Sequence, residues 1–381
     1  MLAQDRIFPW PLPDADSPRP FFASAPHMRP WADSVADFLI GEIPPGCIAF
    51  ATSGSSGGSP KAILFTRDAL ECNALGAIQH MGADHGDWCC PLPAWHVGGA
   101  MTYIRAAIAG TLVHAYTGKW NARDYTDFLG QCGAAWTSLV PTQVVDIVQD
   151  GITAPPGLAC VLVGGGSLSQ ANGLRARELG WPVVQSYGMT EAGSQIATAS
   201  PSDPFHTDRL TILPHWEVRE SEDGRLSLRG EGRFFGVVTE NRMGGFSLRT
   251  ISPREWWTNN DIVEIHGNTL TFVRRADRLV KILGELVDPD ALELSMSGMC
   301  PGVVVESLPC SRRGAMLVAC HPDAAALRKA ADQWNTFAPG FQRLSRLAVM
   351  DVPRNPMGKI DRNSLRILLS SKEAPLERIS N

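Results

Sequence analysis

The residue types best suited to chemistry are concentrated in one short stretch, Thr52 to Lys61, which reads TSGSSGGSPK. Small residues let backbone N–H groups approach an anion closely, hydroxyl groups donate to its oxygens, and a lysine adds positive charge. The stretch therefore predicts a phosphate-binding loop. A flexible loop without a ligand is the other interpretation, and the loop by itself does not separate the two.

The surroundings of this loop restrict which kind of phosphate loop it could be. A Walker A loop ends in Gly-Lys-Ser/Thr and runs into a helix. Here a proline precedes the lysine, an alanine follows it, and residues 62–65 are apolar and strand-like. Gly54-x-Ser56-x-Gly58 matches the wording of a hydrolase nucleophile elbow, but that elbow also leads into a helix. We therefore expect a mobile loop between two antiparallel strands, with Gly57-Gly58 as the turn.

Five further segments place polar or glycine residues where a ligand could meet them. They are Val163-Gly164-Gly165-Gly166-Ser167, Tyr187-Gly188-Met189-Thr190-Glu191, Thr258-Asn259-Asn260-Asp261, Arg274-Arg275-Ala276-Asp277-Arg278, and Pro353 to Ile360 with Lys359. The first segment offers room for a flat ligand, and the second offers a stacking ring and a carboxylate for Mg²⁺ beside a phosphate. The third offers an acid for a ribose diol, the fourth a charged hinge, and the fifth a lysine. Taken singly, each also fits an ordinary turn, linker or exposed side chain.

The elements that must position these residues alternate between strand and helix. A helix is predicted from Thr66, a suitable N-cap, to about Met81. Short buried strands and helical patterns then alternate to about residue 186, which predicts an α/β fold. Short strands with glycine turns follow after about residue 205. From near Asp277 to the end, a hairpin, helices and strands predict a small α+β domain.

Composition limits the class of protein. The chain has 381 residues, 44% hydrophobic and 19% charged, with a net charge of −5, which is ordinary for a soluble globular protein and gives no reason to propose nucleic acid as a partner. Nine cysteines without a CxxC pair favour reduced thiols in the cytoplasm. Neither a signal-peptide core nor an apolar run of roughly 18 residues is present, so we expect no membrane insertion. Residues 1 to about 30 are proline-rich and are expected to wrap the surface as irregular chain.

Taken together, the order and wording of the motifs resemble the adenylate-forming superfamily of acyl-CoA ligases, adenylation domains and luciferases. The resemblance covers about residues 47–365. Within it, the wording VLVGGGSLS, QSYGMTEAGSQIAT and PAWHVGG is most similar to the 2-succinylbenzoate–CoA ligases of menaquinone biosynthesis.

The resemblance implies a large N-terminal α/β domain with a β-rich subdomain over residues 1–274. It also implies a small mobile α+β C-terminal domain over 275–381, with a hinge at Asp277. The implied nucleotide site comprises Thr52, Ser53, Gly54, Ser55, Ser56, Gly57 and Lys61 on the β- and γ-phosphates, Gly165, Gly166, Ser167, Tyr187 and Gly188 at the adenine, and Asp261 and Arg275 at the ribose. The implied catalytic residues are Thr190 at the α-phosphate, Glu191 as the Mg²⁺ ligand, Lys359 between substrate carboxylate and α-phosphate, and His96 facing the acyl pocket.

The implied reaction joins a small carboxylic acid, 2-succinylbenzoate by the finer resemblance, to coenzyme A with ATP and Mg²⁺. An acyl-adenylate forms first, and the thiol then expels AMP. Three alternatives stay open: a ligase for another aryl or acyl acid, an enzyme that loads a carrier protein, and a catalytically silent homologue that binds a nucleotide or acyl ligand.

The chain departs from the family pattern in three places. The phosphate loop starts at residue 52, whereas relatives place it deeper, so most of the first N-terminal subdomain is expected to be missing or shortened. Because that region contributes to some dimer interfaces, a homodimer stays an open expectation. The ribose motif reads Asn-Asn-Asp instead of the usual Thr-Gly-Asp, and Arg274 stands where glycine is usual.

Overall fold

The predicted phosphate loop lies between two strands near the start of the fold. The computed structural model describes residues 8–12, 14, 16–52, 60–241, 243–355, 358–371 and 374–379. The first elements are β1 (Phe21–Ala23), α1 (Arg29–Phe38), β2 (Ile48–Thr52), β3 (Lys61–Phe65) and α2 (Arg67–Met81). Strands β2 and β3 are antiparallel, with Thr52 opposite Lys61. A strand and not a helix follows the loop, as predicted, which argues against the Walker A and nucleophile-elbow interpretations of this stretch. The loop itself, with its predicted turn, lies outside the described residues.

The α/β core follows, and it confirms the predicted alternation. Its elements are β4 (Trp88–Cys90), α3 (Val97–Ala109), β5 (Val113–Ala115), α4 (Ala122–Cys132), β6 (Trp136–Leu139), α5 (Pro141–Gln149), β7 (Cys160–Val163), α6 (Gln170–Glu178) and β8 (Val183–Met189). Strands β5, β4, β6, β7 and β8 are neighbours in that order, and all are parallel. Their carboxyl ends therefore meet at one edge, where α/β proteins bind ligands.

A run of strands follows, most of which extend this sheet. It comprises β9 (Ser194–Thr198), β10 (Leu210–Ile212), β11 (Glu217–Glu220), β12 (Arg225–Arg229), β13 (Gly236–Glu240), β14 (Phe246–Thr250), β15 (Trp257–His266) and β16 (Thr269–Arg275). Strand β9 pairs antiparallel with β8, and β13 and β14 join the β1–β2–β3 sheet. Asp261 lies within β15, directly opposite Arg275 of β16. The alternative interpretation of Asp261 as a turn residue is therefore wrong.

The C-terminal region builds its own core. Its elements are β17 (Val280–Ile282), β18 (Glu285–Val287), α7 (Pro289–Met296), β19 (Val304–Cys310), β20 (Gly314–His321), α8 (Ala324–Phe337), β21 (Leu344–Val349), α9 (Arg362–Ser370) and β22 (Leu376–Arg378). The buried residues of its two hydrophobic clusters come only from residues 282–369. The boundary predicted between residues 274 and 275 stays a prediction, and these separate clusters are the observation in its favour. We refer to the two regions as the large and the small domain.

The proline-rich N-terminal segment differs from the expected surface chain. Phe8, Trp10 and Leu12 are buried, and the ring of Phe8 stacks on Phe50 of β2 at 6.4 Å between ring centroids. Prolines prevent regular backbone hydrogen bonding, but they leave neighbouring aromatic side chains free to bury their surface. The prediction that this segment only wraps the surface is therefore wrong for these three side chains. Among the described helices, none is both long and apolar enough to cross a membrane.

Candidate active site

A cavity lies at the carboxyl edge of the parallel strands. It encloses about 800 Å³ including the open space at its mouth. Its walls come from the segments after β4, β6, β7 and β8, from α3 and β9, and from the turn that carries Lys359. The residues used below are Arg105, His96, Ser138, Gly165, Thr190, Gln195 and Lys359.

The glycine segment after β7 forms one wall. Gly165 has a φ of +81°, a left-handed conformation that favours glycine. A Cβ at this position would lie 2.5 Å from Cε of Lys359, so glycine also makes room for the lysine. The side chain of Gln185 fixes the segment: its Nε2 donates to the Gly166 carbonyl at 3.0 Å, and its Oε1 accepts from the Leu168 N–H at 2.9 Å.

Lys359 enters the cavity from a tight turn of the small domain. An isolated bridge between Arg354 and Ile360 closes the turn, and the Thr142 hydroxyl of α5 donates to the Gly358 carbonyl at 3.4 Å. The surrounding protein lowers the pKa of the Lys359 ammonium group through desolvation, and no carboxylate among the described residues offsets this shift. The cation is therefore available to an anionic ligand.

A second cation, Arg105, lines the same cavity and was not singled out from the sequence. It is 1% exposed, its Nη1 donates to Gln195 Oε1 at 2.9 Å, and its guanidinium lies 4.9 Å from the Trp88 ring centroid. Its Nε has no partner among the described residues, and burial lowers its pKa to about 10. An uncompensated buried charge is costly, so Arg105 suits an anion that arrives with the ligand.

A signal for Arg105 was present in the sequence. Helix α3 reads VGGAMTYIRAAIA, and Arg105 is its single charged residue. An apolar helix that buries one arginine needs a reason for it. Periodicity alone did not supply that reason, because the partner groups come from β9 and β4, which are distant in the chain.

Two neutral polar groups also face the cavity without partners. Among the described residues, Ser138 Oγ and His96 Nε2 are buried without a hydrogen bond. Burial, together with the charge of Lys359, lowers the pKa of His96 to about 4, so its ring is neutral at pH 7. These groups can donate to or accept from a ligand without adding charge.

The predicted ribose residues form a connected group beside the cavity. The Tyr187 hydroxyl donates to Asp261 Oδ2 at 2.6 Å, and the Tyr187 ring stacks on Phe272. Arg275 Nη1 lies 3.5 Å from Asp261 Oδ1 and also binds Asp277 at 2.8 Å. Burial raises the pKa of Asp261, and Tyr187 and Arg275 partly offset that rise. One face of Tyr187 is therefore committed to Phe272, and the carboxylate is already oriented.

The residues predicted to meet the α-phosphate and the metal lie between β8 and β9. Thr190 and Glu191 form a short 3₁₀ turn after β8. Burial raises the pKa of Glu191, and the charge of Lys61 opposes the rise. No group of three or more His, Cys, Asp or Glu that could hold a metal occurs in the described ranges. One carboxylate suits a Mg²⁺ ion that also binds nucleotide phosphates, since Mg²⁺ commonly takes one or two carboxylates plus phosphate oxygens.

The structure thus brings together most of the predicted site. Lys359, His96, Gly165, Gly188 and Thr190 line one cavity, while Tyr187, Asp261, Arg275 and Asp277 form the adjoining group. Gly166 and Ser167 are exposed next to it. Of the phosphate loop, Thr52 and Lys61 are described, whereas Ser53, Gly54, Ser55, Ser56 and Gly57 lie outside the described residues. The roles given to all these residues stay predictions.

Comparison with known proteins finds a family match over part of the chain and solved structures with a similar fold. Residues 47–224 match the model of the AMP-binding enzyme family. The chain is 26% identical over 330 residues to the 2-succinylbenzoate–CoA ligase of Listeria monocytogenes serotype 4b (strain F2365), covering 83% of this chain and 68% of that protein. It is 28% identical over 261 residues to the enzyme of the same name from Staphylococcus aureus (strain MRSA252), covering 66% of this chain and about half, 52%, of that protein.

Among solved structures, the fold is similar to o-succinylbenzoate CoA synthetase from Bacillus subtilis in complex with its acyl-adenylate intermediate. The TM-score is 0.71 at 20% identity, with 89% of this chain and 74% of that chain covered. At this identity the likeness is informative about the fold alone.

Proposed function

We propose that the protein is an AMP-forming acid–CoA ligase whose substrate is 2-succinylbenzoate, because residues 47–224 match the model of the AMP-binding enzyme family. The observation that carries this proposal is the pair of cations, Lys359 and Arg105, that line one cavity where no carboxylate among the described residues neutralises either. The relatives named 2-succinylbenzoate–CoA ligase support the substrate.

The first cation fits the chemistry of activation. A carboxylate is a poor acyl donor, because its leaving group would be oxide. Attack of a carboxylate oxygen on the α-phosphorus of ATP forms a carboxylate–phosphate bond, breaks the α–β phosphoanhydride bond and releases pyrophosphate. Both reactants are anions, so Lys359 acts by neutralising and aligning them, and Thr190 donates to the α-phosphate. A bound Mg²⁺ at Glu191 would supply further charge stabilisation on the phosphates.

The second step needs a thiol. Attack of the coenzyme A sulfur on the acyl carbon forms the thioester, breaks the acyl–phosphate bond and releases AMP, while the thiol proton leaves to solvent. His96, neutral at pH 7, lies at the cavity wall and restricts access of water to the acyl carbon.

The second cation fits the substrate. 2-Succinylbenzoate carries two carboxylates, of which only one becomes the adenylate. The other needs a cation that is not occupied by the protein, and a desolvated arginine that also stacks on Trp88 meets that need. Ser138 supplies a hydroxyl without a partner of its own. An acid with a single carboxylate would leave Arg105 buried without a counter-charge, which is unfavourable.

The proposal is tested by incubating the full chain with Mg·ATP, coenzyme A and a panel of acids, with products identified by mass spectrometry. We expect succinylbenzoyl-CoA and AMP. An acyl-adenylate without the thioester would indicate another acceptor, such as a carrier protein. Turnover of benzoate-type monoacids with equal kcat/KM would contradict the dicarboxylic substrate. Absence of any adenylate, with ATP still bound in calorimetry, would favour the silent homologue.

Arg105→Met is the matched variant for the substrate assignment. We expect KM for 2-succinylbenzoate to rise about 10- to 100-fold, because a charged hydrogen bond contributes roughly 1.5–3 kcal/mol, while KM for ATP stays near its original value. Arg123→Met, at an exposed arginine of α4, is the control.

A further inference from the structure

A compact group of six charged residues lies in the small domain, between the linker to the large domain and the turn that carries Lys359. We call it the Arg278 cluster. Its members are Arg278, Arg362 and Arg366 with Asp290, Glu293 and Glu306. Counted formally, its three positive and three negative groups balance, although burial raises the pKa of Glu293 to about 7. None of them lines the cavity, so the proposed chemistry does not account for them.

Short contacts join the cluster around a fully buried carboxylate. Glu306 is 0% exposed, and Arg278 and Arg366 each approach it to 3.0 Å. Arg278 also binds Asp290 at 3.0 Å. Arg362 binds the same Asp290 at 3.0 Å and Glu293 at 2.9 Å. One end of α9, all of α7 and strand β19 are thereby fixed to the linker.

The linker is held by both domains within four residues. Arg275 contacts Asp261 of the large domain at 3.5 Å and Asp277 at 2.8 Å. Three residues further on, Arg278 is 7% exposed and lies inside the cluster of the small domain. The passage from one domain to the other therefore occurs between two anchored arginines.

The other end of the cluster lies close to the catalytic lysine. Arg362 is the first residue of α9, three residues after Lys359. Between them, the Asp361 N–H donates to the Pro353 carbonyl at 2.8 Å, and Ile360 pairs with Arg354. These bonds close the base of the turn and leave little freedom between Arg362 and Lys359.

We propose that Arg278 and Arg362 are positioning residues that set the place of Lys359 in the cavity by joining the inter-domain linker to the turn that carries the lysine. Buried charges are stable only when all their partners are in place, so the cluster favours one arrangement of linker, α7, β19 and α9. A displacement of about 1 Å at a reacting group can cost about 100-fold in rate. The cluster therefore acts on catalysis without contact to any substrate.

The experiment compares the two half-reactions in Arg278→Gln and Arg362→Lys. It rests on the proposed function, so pyrophosphate–ATP exchange by the unaltered protein comes first. We expect both variants to form adenylate about 10- to 100-fold more slowly at saturating substrates, with KM for ATP within about threefold. Thiolysis of a supplied acyl-adenylate should stay close to normal, because Lys359 serves the first step.

Combination with Lys359→Ala separates positioning from a merely structural role. If the arginines act through the lysine, adding Arg362→Lys to Lys359→Ala should lower residual adenylate formation less than twofold. An undiminished further loss, or equal loss of both half-reactions, would overturn the proposal. Normal adenylate formation by folded Arg278→Gln and Arg362→Lys would also overturn it, while leaving the proposed function intact.

Two safeguards keep the outcome interpretable. Arg328→Gln breaks the exposed Arg328–Glu377 pair of the same domain, at 2.7 Å, and should leave both half-reactions unchanged. Should Arg278→Gln fail to fold by circular dichroism, Arg362→Lys retains the charge and loses only the planar fork, so it decides the question.

Discussion

The cavity and the Arg278 cluster place arginines in similarly buried surroundings with opposite consequences. In the cavity, Arg105 is 1% exposed and its closest protein partner is the neutral amide of Gln195. In the cluster, Arg278 is 7% exposed and binds two carboxylates. Burial opposes the charge on both. It lowers the pKa of Arg105 to about 10, whereas Glu306 and Asp290 outweigh it at Arg278 and raise that pKa.

The difference indicates how this protein divides its charges. Where the protein supplies the counter-charge, the ions fix one arrangement of the chain. Where the described residues supply no counter-charge, as at Arg105, the cavity suits an anion that arrives with a ligand. Lys359 connects the two regions, since the cluster lies at the base of its turn and its ammonium group enters the cavity.

The largest effect on the rate of adenylate formation is expected at Lys359. We expect Lys359→Ala to slow adenylate formation by about 100- to 1,000-fold, which is typical for loss of one charge-stabilising group. Thiolysis of a supplied acyl-adenylate should be spared. Both rates can be followed by rapid quench, with the exposed Lys329→Ala as control. Equal loss of both steps would contradict its assignment to the first step.

A carboxylate introduced next to Arg105 would pair this arginine in the way that the carboxylates of the Arg278 cluster pair Arg278. In Gln195→Glu, the new carboxylate would lie about where Oε1 accepts from Arg105, at 2.9 Å. We expect KM for 2-succinylbenzoate to rise about 10- to 100-fold, because Arg105 would already be neutralised. KM for ATP should stay unchanged, and Gln79→Glu on the surface should have no effect. An unchanged KM for the acid would mean that Arg105 does not bind its second carboxylate.

His96 lines the same cavity as the two cations but is itself neutral at pH 7. Its pKa is about 4 when folded and about 6.5 when exposed by unfolding. Between these values the unfolded chain binds a proton that the folded chain does not, so stability falls as the pH drops. From pH 7 to pH 5 this contribution amounts to about 2 kcal/mol.

The measurement is urea unfolding of the unaltered chain, His96→Gln and the exposed-site control His27→Gln at both pH values. Between pH 7 and pH 5, the free energy of unfolding of His96→Gln should fall by about 2 kcal/mol less than that of the unaltered chain. His27→Gln should show the same decrease as the unaltered chain. The same pH dependence in all three would show that His96 is not kept neutral by the fold.

The smallest effect is expected at Glu191, the carboxylate predicted to bind Mg²⁺. Glu191→Ala should raise the Mg²⁺ concentration for half-maximal adenylate formation about 10-fold. The exposed Glu222→Ala should leave it unchanged. An unaltered Mg²⁺ dependence in Glu191→Ala would contradict its role as the metal ligand.

The α/β core and many residues of the candidate site were predicted from the sequence. Short apolar runs separated by helical patterns and glycine turns are local signals, so the alternation from β4 to β8 was predicted. The motifs at Gly165, Tyr187, Asp261 and Lys359 are contiguous and were identified from their wording. The strand after Lys61 was predicted from four apolar residues, and it argued against two competing loop types.

The tertiary structure alone decided which charges are paired. Arg105 and Gln195 are 90 residues apart in the chain, and Arg278 and Glu306 are 28 apart. No local pattern reports whether such side chains meet. Burial of Phe8, Trp10 and Leu12 was missed for the same reason, since their partners lie on β2 and beyond. Pairing and burial depend on contacts between distant segments, and those contacts exist only once the chain has folded.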